Sequence, residues 1–140
     1  MVLYTFHLFA GAGGGILADM LLGHRPIGAV EIDAYNRQVL LQRQPEGYLQ
    51  PFPIWDDVTT MRPDNPETQP FILSLQERAK ELAICGGFPC QDISPAGKGT
   101  GLSGTRSGLW TEFARLLGDI RPSYAFIENS STLTVRGLTT

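Results

Sequence analysis

Tyr4-Thr5-Phe6-His7-Leu8-Phe9-Ala10-Gly11-Ala12-Gly13-Gly14-Gly15 runs from an apolar and aromatic segment straight into glycines. The pattern predicts a strand over Val2 to Ala10, a glycine turn, and a helix over Gly14 to Leu22 that Gly23 stops. Glycines at such a turn let a ligand approach the backbone closely, and the helix start offers unpaired N–H donors. Glu31 follows Gly11 by 20 residues, at the end of a second predicted strand, Ile27 to Ile32. An acidic side chain so placed suits a two-point grip on ribose hydroxyls.

Outward from this unit the alternation continues. A helix is expected over Tyr35 to Gln44, ending at Pro45. Residues 45–70 carry six prolines and read as loop with one short strand at Pro53-Ile54-Trp55. Ile72, Leu75, Ala79 and Leu82 share a face, which predicts a helix over Phe71 to Glu81. Leu82-Ala83-Ile84-Cys85 is a fourth strand, Leu109 to Ile120 an amphipathic helix closed by Arg121-Pro122, and Tyr124 to Ile127 a fifth strand. Strands alternating with helices predict an α/β fold, a Rossmann-like doubly wound and mostly parallel sheet. A doubly wound sheet commonly has about six or seven strands, so five predict a sheet incomplete at its C-terminal side.

The 140 residues make one domain at most, long enough to bury a core. A net charge of −3 argues against general polyanion binding, so any nucleic-acid contact must come from a local patch. Cys85 and Cys90 are too few for a disulfide framework. Their spacing has no further cysteine partners, and His7 and His24 lie far off in sequence, so no metal site is expected. There is no leader-like n-region and no apolar run of membrane-spanning length, which points to a cytoplasmic protein without a membrane partner.

Three further features carry chemistry. Asp57-Val58, after the third strand, places a carboxylate where an adenine amino group could donate to it; an ordinary turn or cap aspartate is the alternative. Gly86-Gly87-Phe88-Pro89-Cys90-Gln91 thrusts a thiol off the carboxyl end of the fourth strand. Glu128-Asn129 ends the fifth, so neighbouring strands would set Cys90 and Glu128 across one crevice. A nucleophilic thiol beside a carboxyl group suits an aromatic ring that must be activated by addition. Ile16 falls on the third small position of G-x-G-x-x-G, where it would hinder close helix–strand packing. Adenosyl-methionine, a nucleoside without a pyrophosphate, therefore suits the turn better than a dinucleotide.

These features, in this order, resemble the C5-cytosine DNA methyltransferases. Phe9-Ala10-Gly11-Ala12-Gly13-Gly14 looks like the motif that holds the methionine part of S-adenosyl-methionine. Glu31 and Ile32 are similar to the ribose-binding acid and the residue stacking on adenine, Asp57 and Val58 to the adenine-contacting pair, and Leu109 to a residue lining that pocket. Pro89-Cys90-Gln91 resembles the catalytic loop and Glu128-Asn129 the pair that contacts the target cytosine. The resemblance implies methyl transfer to C5 of a cytosine flipped from double-stranded DNA, through a Cys90–C6 adduct, in a restriction–modification setting. Gln91, Ser94, Lys98 and Arg106 then resemble DNA contacts and supply the local patch that the net charge requires.

The chain also departs from the family pattern. His7 stands where Asp or Ser is usual, Ser130 where Val is common, and residues 61–81 look longer than the usual connection. The resemblance implies that residues 1–140 are the N-terminal part of the catalytic domain, without a target-recognition domain: either a truncated product, or one subunit whose partner is a separate chain carrying the recognition half. The competing readings are an inactive, truncated remnant that binds cofactor or serves as an interaction module, and a nicotinamide-dependent oxidoreductase.

Overall fold

Across residues 1–87 and 109–128, which the computed structural model describes, five strands pair in parallel. They are β1 (Tyr4–Leu8), β2 (Arg25–Val30), β3 (Ile54–Trp55), β4 (Leu82–Gly86) and β5 (Tyr124–Ile127), in the order β3-β2-β1-β4-β5. The chain lays β2 and β3 on one side of β1 and then crosses back to lay β4 and β5 on the other. Between β1 and β4 the winding reverses, and above their carboxyl ends an open α/β sheet leaves its ligand crevice.

Helices α1 (Gly14–Leu21), α2 (Ala34–Arg43), α3 (Gln69–Glu77) and α4 (Leu109–Ile120) form the connections among the described residues. Side-chain alternation along β1 sends Phe6 and Leu8 to one face and Thr5 and His7 to the other. On the first face Phe6, Leu8 and Ile84 pack with Ile72 and Leu75 of α3 and with Phe113, Leu116 and Ile120 of α4. On the second, Ile16 of α1 meets Ala29 of β2, Leu40 of α2, and Leu49 and Phe52. Two cores on opposite faces define the doubly wound arrangement expected from the alternation.

Several boundaries differ from expectation for local reasons. The first strand ends at Leu8, because Phe9 adopts φ 55° and turns the chain out of the ladder. The second begins at Arg25; Pro26, which has no N–H to give, coincides with a register shift opposite Thr5 and Phe6. The third helix stops at Glu77 and a 3₁₀ turn over Ala79–Glu81 follows, since Leu82 must extend to pair with Tyr4. Ala79 and Leu82 therefore do not continue the helical face formed by Ile72 and Leu75. That helix lies in the crossover from β3 to β4 and carries two core residues, Ile72 and Leu75. Ile16 does not crowd the β1–α1 turn either; it points fully buried into the second core. At one edge β5 leaves Tyr124, Phe126 and Ile127 exposed. Among the described residues no helix is long and apolar enough to cross a membrane.

Candidate functional site

At the exit of β1 the backbone turns through three left-handed residues, Phe9 at φ 55°, Gly11 at 58° and Gly13 at 97°. Gly13 starts α1, and a Cβ there would lie 2.7 Å from the Leu40 side chain, so only glycine lets the helix start seat on α2. Phe9 has no such freedom, and its conformation carries strain of order 1–3 kcal/mol, a cost usual where a ligand site is built.

Glu31, buried at the end of β2, fastens this turn. Its Oε1 accepts from Gly11 N and its Oε2 from Asp33 N, both at 2.7 Å. Asp33 in turn caps α2 by accepting from Asn36 N, and Arg37 Nη1 donates to the Glu31 and Ile32 carbonyls at 2.9 and 2.6 Å. Each carboxylate oxygen keeps lone-pair capacity for a further donor. Ile32, the next residue, is 67% exposed.

The predicted nucleoside-binding residues converge. Phe9, Glu31, Ile32, Asp57, Val58 and Leu109 line one cavity of about 130 Å³, brought from β1, β2, the turn after β3 and the start of α4. Asp57 is also the cap that ordinary turn chemistry predicts: its Oδ1 accepts from Thr59 N at 2.9 Å and Thr59 Oγ1 at 2.7 Å, starting a 3₁₀ turn over Val58–Thr60. Its other oxygen remains for a second donor. Arg115 of α4 holds that turn from behind, donating to the Val58 and Met61 carbonyls at 3.0 and 2.9 Å while pairing with Glu112 and Asp119. Ala12 and Gly14 lie on the turn and the first residue of α1, both exposed.

A larger cavity of about 630 Å³ opens beside the first, between the carboxyl ends of β1, β4 and β5. Phe9 borders both. Strands β4 and β5 are neighbours, with Gly86 opposite Ile127, so Glu128 stands at the cavity with its backbone N–H on the Gly86 carbonyl at 3.1 Å. A Cβ on Gly87 would collide with the Glu128 carboxylate. The Glu128 side chain thus reaches Gly87, three residues before Cys90. Pro89, Cys90, Gln91, Ser94, Lys98, Arg106 and Asn129 lie outside the described residues.

The same cavity holds His7 and Cys85, whose separation in sequence gave no expectation of a site, together with Asp19, which carried no sequence signal. His7 Nε2 and Asp19 Oδ2 share a hydrogen bond of 2.5 Å, and Cys85 stands beside them. Burial pushes the Asp19 carboxyl up, but the hydrogen bond and charge of His7, together with Thr5 and His24, hold it below the ordinary carboxylate range. Burial, with the Asp19 charge adding to it, pushes the Cys85 thiol up to about 12. Residues 12 and 78 positions apart meet here through strand register and helix packing. Thr5 and His7, two apart on one face of β1, are the only neighbours in sequence among these residues. Arg37 and Arg115 were missed for the same reason, their partners being backbone carbonyls.

The family model for C-5 cytosine-specific DNA methylases matches residues 3–137. The chain is 35% identical over 136 residues to the type II methyltransferase M.Eco47II of Escherichia coli, covering 96% of this chain and 28% of that protein. It is 31% identical to M.HhaI of Haemophilus parahaemolyticus, covering 87% of this chain and 32% of that one. A prophage-encoded DNA modification methyltransferase from E. coli superposes with a TM-score of 0.65 at 25% identity, over 91% of this chain and 32% of that chain. Dnmt2 of S. pombe, at 17% identity and a TM-score of 0.60, shares the fold over 96% of this chain and 38% of that one. The chain thus spans about a third or less of the length of these curated relatives.

Proposed function

The chain belongs to the C-5 cytosine-specific DNA methylase family, and on that premise we propose that it forms the S-adenosyl-methionine site and the catalytic crevice of a DNA cytosine C5-methyltransferase, acting when a C-terminal half completes it. One observation carries the reading. The nucleoside-type cavity of Phe9, Glu31, Ile32, Asp57, Val58 and Leu109 adjoins the cavity lined by Glu128 and by Gly87, three residues before Cys90.

The residues present fit the cofactor. Glu31 offers two anchored carboxylate oxygens to ribose hydroxyls, Asp57 an acceptor to the adenine amino group, and Ile32 and Leu109 apolar surface to its ring. Gly11, Ala12, Gly13 and Gly14 leave room for the methionine part. When bound, S-adenosyl-methionine supplies an electrophilic methyl group.

The chain's own residues prepare the cytosine. The target base leaves the duplex, because C5 and C6 cannot be reached within the stack. The Cys90 thiolate forms a bond to C6, and the C5=C6 electron pair moves to C5, making it nucleophilic. Glu128 hydrogen-bonds the ring at N3 and the exocyclic amine, stabilising that charge, and Asn129 helps position the base. Pro89 restrains the loop backbone, and Gln91, Ser94, Lys98 and Arg106 contact the DNA. After C5 is methylated its proton leaves to base, the electron pair re-forms C5=C6, and the Cys90 sulfur departs.

The cofactor part is tested on the 140-residue chain by calorimetric titration with S-adenosyl-methionine. Saturable binding that Glu31→Ala weakens is expected, and no binding would overturn the assignment. The catalytic part is tested by adding the C-terminal half of a relative such as M.Eco47II and measuring methyl transfer to duplex DNA. Activity abolished by Cys90→Ser, with cofactor binding intact, is expected. Undiminished turnover in that variant would remove Cys90 as the nucleophile, and an inactive mixture with every complement tried would favour a cofactor-binding or interaction module.

A further inference from the structure

We propose that His7, Asp19 and Cys85 form a divalent-cation site suited to Zn²⁺, built across β1, α1 and β4 at the wall of the larger cavity. His7 and Cys85 are register partners on adjacent parallel strands, so their side chains stand together on one face of the sheet. Asp19 reaches them from α1, and the ligand atoms of all three lie within 4.8 Å of one another. Metal–ligand bonds of about 2.0–2.3 Å place tetrahedral ligands roughly 3.3–3.8 Å apart, so closure needs side-chain shifts of about 1 Å. The cavity lies in front of the cluster and leaves a fourth position open to water or ligand. An imidazole, a carboxylate and a thiolate balance a doubly charged ion, and this mixed nitrogen, oxygen and sulfur set is one that zinc accepts.

Thr5 supplies a separate indication. Two residues before His7 on the same side of β1, it is 1% exposed, and its Oγ1 has no hydrogen-bond partner among the described residues. A buried hydroxyl left unpartnered on the strand that carries His7 is available as an outer partner for a metal ligand. On binding, the Cys85 proton leaves to solvent as the S–metal bond forms. The imidazole presents one ring nitrogen to the metal and keeps its proton on the other, in place of the His7–Asp19 hydrogen bond. The site is independent of the methyl-transfer reading.

The test is titration of the full chain, stripped with chelator, with Zn²⁺ and with Co²⁺ as a spectroscopic substitute. One ion per chain is expected, with a thiolate-to-cobalt charge-transfer band that survives Cys90→Ser and vanishes in Cys85→Ala. Affinity should fall in Cys85→Ala, His7→Ala and Asp19→Asn by at least the roughly 10–100-fold that loss of an outer partner costs. Circular dichroism of each variant establishes that it is folded; Asp19→Asn, nearly isosteric, serves where the alanine variants are not. No saturable 1:1 binding, a band that follows Cys90, or binding undiminished in the folded variants would overturn the proposal.

Discussion

Replacing Glu31 by Gln changes one atom and should destabilise the chain without any ligand present. The carboxylate accepts from Gly11 N and Asp33 N at 2.7 Å each, one N–H from each of the two turns it joins. Hydrogen bonds to a charged acceptor contribute about 1.5–3 kcal/mol apiece. An amide keeps one acceptor oxygen, now neutral and worth about 1 kcal/mol, and whichever way it is turned its NH₂ confronts the other N–H. Asp33 is exposed, and water there offsets part of the loss. The balance is a destabilisation of about 2–4 kcal/mol. At this chain length that is a fall in Tm of about 6–12 °C. Urea unfolding followed by fluorescence of Trp55 and Trp110 measures it, with the midpoint falling and the slope unchanged. A loss below about 0.5 kcal/mol, within the range of ordinary surface substitutions, would refute the view that Glu31 ties the glycine turn to β2.

Arg115→Met should loosen the Asp57–Val58 turn, leaving the Val58 and Met61 carbonyls without their guanidinium donor, at about 1–3 kcal/mol in the same assay; stability equal to the parent would show that α4 packing alone holds the turn. In the metal-free native chain at pH 8, a thiol reagent should label Cys90 quickly and Cys85 slowly, because burial and the Asp19 charge push Cys85 up to about 12. Two equally fast thiols by mass spectrometry would contradict that assignment. The isolated chain should self-associate through the β5 edge, where Phe126 is 57% exposed, and Phe126→Lys should reduce the effect. A monomer in sedimentation velocity at high concentration would refute it.

Much of the fold was legible because its signals are local. The β1–glycine–α1 unit, β4 and the α4 stripe of Leu109, Phe113, Leu116 and Ile120 each follow from apolar spacing within a dozen residues. The placing of Glu31 and Asp57 at one cavity was legible too, since both sit at strand ends where turn chemistry demands polar groups. Boundaries were less so: Phe9 leaves the strand by a left-handed turn that phenylalanine does not signal, and Leu82 is taken from helix to strand by pairing with Tyr4. The rear supports, Arg37 and Arg115, left no sequence trace, because an arginine that holds carbonyls looks like one that faces water.

The amino-acid sequence by itself determined the alternation of strands and helices, the glycine turn, and the order of residues that places this chain in its family. Those depend on periods of two and 3.6 residues and on side-chain types, which the chain carries wherever it folds. Tertiary structure decided which residues share a cavity. Histidine and cysteine far apart in sequence gave no reason to expect a metal site, yet parallel register sets His7 beside Cys85 and α1 packing brings Asp19 onto both. Register and helix docking are set by the burial of the whole sheet, so the meeting of those three side chains belongs to no segment of the sequence alone.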